Sequence, residues 1–328
     1  MAASVSFSAL ERFAPPTDAW RGPVALSPPS DHRTPTIAYR SLIGPGRYDV
    51  MLAPAGGGTV TRRMAGSRDR IPGGLVFSPD GRWLACWATG RTRRRRLHLL
   101  SVDGEDDRHD EIEADAYAFM PDGRGLLLMR AGMLVERQLD GSERDRGVIE
   151  GDIDPSQPPE LAISPDGDRV AVLTHSRDDD AGFIWILDGK GPPRLLSDVP
   201  RWTARMRAAW SPDSRDLALY IAHRQVRHSA VIVFYDGAGE GDGVLDSEIG
   251  EPIEGLCWTP SGTRIVTSRC EDRSALRPRM TVIDLHPQRE ALFDLEQPPP
   301  GRCRFDGGQL VVEAHDAAYR LVLDQEQG

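Results

Sequence analysis

The side chains best suited to recognition lie in two short stretches, Arg201-Trp202-Thr203-Ala204-Arg205-Met206-Arg207 and His223-Arg224-Gln225-Val226-Arg227-His228. Trp202 offers a flat apolar surface, while Arg201, Arg205 and Arg224 offer forked donors that match a carboxylate or phosphate. Trp and Arg are the residue types that dominate binding hot spots. Arg177 and Arg269 extend the set, and His223 and His228 add groups that titrate near neutral pH. The competing reading packs Trp202 over a rim and leaves the arginines solvated or paired with Asp178, Asp179 and Asp180.

Other constellations carry less. Asp178-Asp179-Asp180 could hold a hard cation together with Asp152 and Asp154. The triplet lacks the spaced Asp-x-Asp-x-Asp pattern, however, and reads as an acidic loop. His175, His223 and His315 fall near the ends of equivalent strands but not at neighbouring positions, so no metal and no cofactor are expected. Arg91, Arg93, Arg94, Arg95 and Arg96 form a basic hairpin that suits a protein contact or solvent better than a nucleic-acid groove. The chain has no Gly-x-Ser-x-Gly elbow, phosphate loop or His-Glu-x-x-His, so nothing nominates a nucleophile with its base.

These residues are positioned by a repeat. Ile163-Ser164-Pro165-Asp166-Gly167-Asp168-Arg169-Val170-Ala171-Val172-Leu173 reads as strand, tight turn, strand: Pro165 presets φ, Asp166 accepts from turn backbone and Gly167 supplies a positive φ. Versions of it recur at Phe77-Ser78-Pro79-Asp80-Gly81-Arg82, Phe119-Met120-Pro121-Asp122-Gly123-Arg124, Trp210-Ser211-Pro212-Asp213-Ser214-Arg215 and Trp258-Thr259-Pro260-Ser261-Gly262-Thr263-Arg264. The prolines stand 42, 44, 47 and 48 residues apart. Decayed copies at Leu26-Ser27-Pro28 and Phe305-Asp306-Gly307 bring the series to seven. A period in the forties, in units too small to bury their own apolar face, signals propeller blades. Asp80, Asp122, Asp166 and Asp213 are expected to brace their own turns rather than form a functional carboxylate ring.

Together with third strands ending at Asp103-Gly104 and Asp188-Gly189, this pattern resembles the TolB-type, WD40-like propeller repeat. The resemblance spans essentially the whole chain. It implies an all-β, single seven-bladed β-propeller of four-stranded antiparallel blades, and it leaves function open, because the fold hosts scaffolds, binding platforms and peptidase gates alike. The expected blades cover about 21–65, 74–113, 116–150, 160–198, 207–249, 254–296 and 302–328, all within one domain, 1–328. The last blade lacks an outer strand, and the segment Val5 to Phe13 is expected to supply it, closing the ring.

The 328 residues carry a net charge of −10, which disfavours general nucleic-acid binding. Only Lys190 among the 40 basic residues is lysine, a bias that a GC-rich coding sequence explains. Cys86, Cys257, Cys270 and Cys303 show no Cys-x-x-Cys spacing and read as small buried hydrophobes. The first residues lack a basic start and a long apolar run, so a cytoplasmic, monomeric protein without membrane contact is expected.

Two functions stay open. The first is a non-catalytic scaffold that binds a protein or peptide through the face carrying the second-to-third-strand loops and the blade connections. The second is an enzyme of lyase or hydrolase type, or a small-molecule or ion-binding module, at the central channel mouth, with His175, His223 or His228 as acid or base and Asp178 orienting.

Overall fold

The hairpin turns set the architecture, and a computed structural model of the chain shows how. Ser78 Oγ accepts the Trp83 N–H at 3.0 Å and donates to Asp80 Oδ1 at 2.5 Å, while Asp80 Oδ1 also accepts the Arg82 N–H at 3.0 Å. The same bonds recur at Ser164/Asp166 and at Ser211/Asp213. At Pro121 the serine is replaced by Met120, yet Asp122 still accepts the Arg124 N–H. Each carboxylate therefore braces its own turn. The glycine that follows has φ near +70° at Gly81, Gly123 and Gly262, where a Cβ would be strained. Ser214 takes that conformation too, at φ +65°, and its Oγ accepts the Asp166 N–H of the preceding blade at 3.0 Å.

The structure describes residues 7–17, 22, 24–29, 34–67, 71–89, 95–103, 109–151, 153–154, 156–177, 181–189, 191–199, 203–223, 229–234, 236, 242–247, 253–270, 278–285, 288–293, 301–306, 308–315 and 317–323. An N-terminal strand β1 (Phe7–Phe13) precedes blade one, which is β2 (Ala25–Leu26), β3 (Thr36–Gly44), β4 (Arg47–Pro54) and β5 (Thr61–Met64). Blade two is β6 (Ile71–Phe77), β7 (Trp83–Thr89), β8 (Arg95–Ser101) and β9 (His109–Ile112). Blade three is β10 (Ala116–Phe119), β11 (Gly125–Arg130), β12 (Met133–Gln138) and β13 (Glu143–Val148). Blade four is β14 (Glu160–Ile163), β15 (Arg169–His175), β16 (Gly182–Asp188) and β17 (Arg194–Val199). Blade five is β18 (Thr203–Trp210), β19 (Leu217–His223), β20 (Ser229–Phe234) and β21 (Asp242–Ser247). Blade six is β22 (Ile253–Trp258), β23 (Arg264–Cys270), β24 (Pro278–Leu285) and β25 (Gln288–Phe293). Blade seven is β26 (Gly301–Asp306), β27 (Gln309–Ala314) and β28 (Ala318–Leu323), with β1 as its fourth strand. The protein is thus all-β, seven four-stranded antiparallel blades arranged as a propeller.

The chain divides into two compact units. The first comprises Met1–Ala114 with Gln297–Gly328 and holds blades seven, one and two. Its closure is the one predicted: β1 pairs with β28 from Phe7 opposite Leu323 to Phe13 opposite Ala318. The Arg320 guanidinium lies 5.1 Å from the Phe13 ring centroid and 3.4 Å from Glu11. In blade one the inner strand is short: among the described residues Ala25 and Leu26 pair with β3. The Val24 N–H donates instead to Ala314 O in blade seven, at 3.0 Å. The second unit, Asp115–Glu296, holds blades three to six.

Within each unit the cores lie between neighbouring blades, since a sheet apolar on both faces cannot bury itself. Ile184 and Ile186 of blade four pack with Trp210, Leu219 and Ile221 of blade five. Tyr220 and Val231 of blade five pack with Trp258, Ile265 and Ile283 of blade six. Cys86 and Cys257 are buried and Cys303 is half-buried; the Cys270 side chain lies outside the described residues. Among the described residues no helix is long and apolar enough to cross a membrane.

Two tests follow from this packing. Deleting residues 1–13 strips the outer strand from blade seven and should lower the melting temperature by about 10 °C; an unchanged calorimetric melt would refute closure by β1. Thr267 and Thr281 face each other across β23 and β24, and each hydroxyl is buried without a hydrogen-bond partner among the described residues. The double change Thr267→Val, Thr281→Val should therefore stabilise the protein by about 1 kcal/mol in urea unfolding.

Candidate binding face

An innermost strand pairs on one edge only, so its other edge carries N–H and C=O groups with no strand to meet them. In the second unit the neighbouring blade meets them with side chains. Trp210 Nε1–H donates to Ala162 O at 3.0 Å, and Trp258 Nε1–H donates to Ala209 O at 2.8 Å. Trp210 and Trp258, which stand before a Ser-Pro and a Thr-Pro turn, are thus polar caps as well as core residues. Glu160 Oε1 accepts the Ala208 N–H at 3.1 Å, and its other oxygen is bonded to the Arg207 guanidinium. Burial pushes the Glu160 carboxyl up against the opposing pull of Arg207. The Glu160 charge holds the Arg207 guanidinium protonated beyond its ordinary range, with Glu254 adding to the effect.

The sequence offered a signal for this pair that composition alone hides. Glu160 stands three residues before Ile163, and Arg207 three residues before Trp210. Opposite charges thus occupy one repeat position in adjacent blades. Arg207 is therefore engaged by the scaffold through Glu160, although its side chain stays partly exposed.

The eight residues selected from sequence fall into two groups. Arg201, Trp202, Arg224 and His228 lie outside the described residues. Arg205, His223 and Arg269 are placed by their backbones, and Arg177 is placed with its exposed side chain. Thr203 pairs with His223 and Ile253 with Arg269. Arg205, His223 and Arg269 therefore sit at the ends of blades five and six remote from the proline turns, and Arg177 follows β15 at the same end of blade four. Both inner strands are irregular at this end: β18 carries an extra residue, Ala204, and β22 an extra residue, Glu254. Bulges of this kind re-aim side chains and concentrate near functional sites.

The proposed cation ligands divide likewise. Asp152 and Asp178 to Asp180 lie outside the described residues. Asp154 accepts both the Ser156 N–H at 2.8 Å and the Ser156 hydroxyl at 2.9 Å, and its N–H donates to His175 O at 2.7 Å. The Ser156 bonds hold its carboxyl below the usual range, and Arg177 and His175 add to the effect. Asp154 is a turn former facing cationic side chains. Among the described residues no three His, Cys, Asp or Glu groups converge as metal ligands would.

No protein-family model matches the chain, and no curated protein matches it. Solved structures do match it. A chain of the mitotic checkpoint complex superposes with a TM-score of 0.65 at 14% identity, over 99% of this chain and 98% of that one. Oligogalacturonate lyase in complex with manganese gives 0.58 at 14% identity, over 98% of this chain and 97% of that one. TolB from Acinetobacter baumannii gives 0.49 at 17% identity, over 85% of this chain and 65% of that one. Identities this low establish the fold alone. The structural neighbours are propellers of diverse function, TolB proteins among them.

The division between scaffold and open groups can be measured. Glu160→Ala leaves the Arg207 charge and the Ala208 N–H without their acceptor and should destabilise by about 2 kcal/mol in denaturant unfolding. Arg177→Ala, at an exposed site, should change stability by less than about 0.5 kcal/mol.

Proposed function

We propose that this protein is a non-catalytic scaffold that binds a protein or peptide at the ends of blades four to six remote from the proline turns. The observation that carries this reading is the contrast between the two ends. At one end the Ser-Pro-Asp-Gly turn repeats with the same bonds. At the other, the second-to-third-strand connections run from the two residues 131–132 in blade three to residues 271–277 in blade six, and the inner strands are bulged at Ala204 and Glu254. A rigid sheet carrying unequal loops is the usual arrangement of a binding surface.

Arg201, Trp202, Arg205, His223, Arg224, His228 and Arg269, with Arg177 at the edge, are the anchors in this reading. The blades hold the ends of their loops fixed, so little ordering entropy is lost when a partner docks. Trp202 would supply the buried apolar contact and the arginines the forked bonds to partner carboxylates. A propeller chain from the mitotic checkpoint complex resembles this one over nearly its whole length, which is compatible with use of the fold in an assembly.

The test is affinity purification from the native host with wild-type protein beside the double variant Trp202→Ala, Arg205→Ala, after both are shown to melt alike. A partner retained by wild type and lost by the variant is expected. A partner retained equally by both would remove this face from consideration, and turnover of a small molecule by the purified protein would replace the scaffold reading with a catalytic one.

A further inference from the structure

The seat of β1 on blade seven holds a cation that β1 serves incompletely. Arg320 of β28 lies opposite Glu11 of β1 on one side and Val311 of β27 on the other. Its Nη1 lies 3.4 Å from Glu11 Oε2, and its guanidinium carbon lies 5.1 Å from the centroid of the Phe13 ring. The Glu11 side chain is 61% exposed, whereas that of Arg320 is 14% exposed. Nε and Nη2 of Arg320 are buried and have no hydrogen-bond partner among the described residues. These two nitrogens form the side-on fork with which an arginine grips both oxygens of a carboxylate. Leaving that fork unmet in the interior is destabilising, so the site favours an acceptor that can reach it.

β1 is also an uneven match to the edge it covers. Its register shifts between Ser8, opposite Val322, and Glu11, opposite Arg320. Ala9 and Leu10 therefore stand where the single residue Leu321 lies between them on β28, and a bulge of this kind leaves one residue unpaired. Phe13 is better seated: it lies opposite Ala318 and packs against the cluster of Val24, Leu26, Val311 and Ala318. As the outermost strand of its sheet, β1 pairs with β28 alone.

We propose that the β28 edge is a strand-exchange site, at which an extended segment of a partner protein displaces β1, pairs without a bulge and delivers an Asp or Glu carboxylate to the Arg320 fork. The geometry selects a strand over a free anion. The fork is buried, and Glu11 and Phe13 of β1 lie against the same guanidinium, so an acceptor enters when β1 lifts. Lifting bares the backbone edge of β28, and a second strand re-pairs it while bringing the carboxylate, as in β-strand addition. Arg320 sets the charge of the incoming segment. The seat of Phe13 beside Ala318 asks for an apolar residue at the matching position. β1 is tethered and competes at an effective concentration on the order of millimolar, so the extra carboxylate bonds decide the exchange.

The experiment is hydrogen exchange on the full chain with synthetic peptides at about 1 mM. The acidic peptide copies residues 5–15 with Ala9 omitted, which removes the bulge, and with Ser8→Asp, which sets a carboxylate diagonal to Arg320 on the face of Glu11. The neutral peptide carries Asn and Gln in place of these two acids. Read from the exchange of residues 7–13, the acidic peptide should raise the ratio of displaced to seated β1 about tenfold over the neutral one. Arg320→Leu, once shown to melt like wild type, should abolish the difference. Equal effects of the two peptides on wild type, including no effect of either, would overturn the proposal without recourse to a variant. Inorganic phosphate that stabilises wild type but not Arg320→Leu, with residues 7–13 still protected, would also overturn it and assign the fork to a free oxyanion. A dimer in light scattering that exchanges its β1 strands would overturn it in favour of a second copy of this chain.

Discussion

The constraint on which the blades depend is the unpaired inner edge of each one. A four-stranded blade leaves backbone donors and acceptors facing inward, where no further strand can follow. The two units solve this with different chemistry. In blades four to six the caps are the indole N–H groups of Trp210 and Trp258 and the carboxylate of Glu160. Around blade one the caps are charged: Glu313 accepts the Leu26 N–H at 3.0 Å, Arg304 donates to Leu26 O at 2.7 Å, and Arg302 donates to Leu75 O. Burial pushes the Glu313 carboxyl up, and Arg304 and Arg302 more than reverse it, so it stays ionised. The charged solution belongs to the blade whose inner strand is shortest, where side chains must span what backbone does not.

The fold was legible because its determinants are local and repeated. A proline, an aspartate and a glycine at fixed offsets specify a turn without reference to anything distant, and three such turns, with two close variants at Pro212 and Pro260, spaced 42 to 48 residues apart leave few architectures to choose among. The closing strand was legible too, since an unassigned alternating segment at one terminus matched a missing strand at the other. What could not be read were the bonds between blades. Glu160 and Arg207 are 47 residues apart, and the pair shows only when the repeats are aligned on their turns, not from anything local to either residue. The bond from the Val24 N–H to Ala314 O is of the same kind, joining blade one to blade seven across almost the whole length of the chain.

The candidate face was only partly legible. Residue type singled out Arg177, Arg205, His223 and Arg269, and the antiparallel register explains why they share one end of their blades. Arg207 belongs to the same stretch and the same residue type, yet a carboxylate in the preceding blade engages it. Sequence shows which side chains are capable of binding, whereas burial and pairing decide which of them are still free to do so.

The pairing of β1 with β28 has a consequence for how the protein is made. Glu11 and Arg320 are 309 residues apart, so during synthesis the first strand leaves the ribosome long before its partner exists. At about 5–20 residues per second that interval is roughly 15–60 s. For that time Phe7–Phe13 is a solitary strand while β26, β27 and β28 have yet to be made. Until β28 emerges that segment has open edges that other chains can pair with, so the strand that completes blade seven is also the one most exposed to mispairing during synthesis.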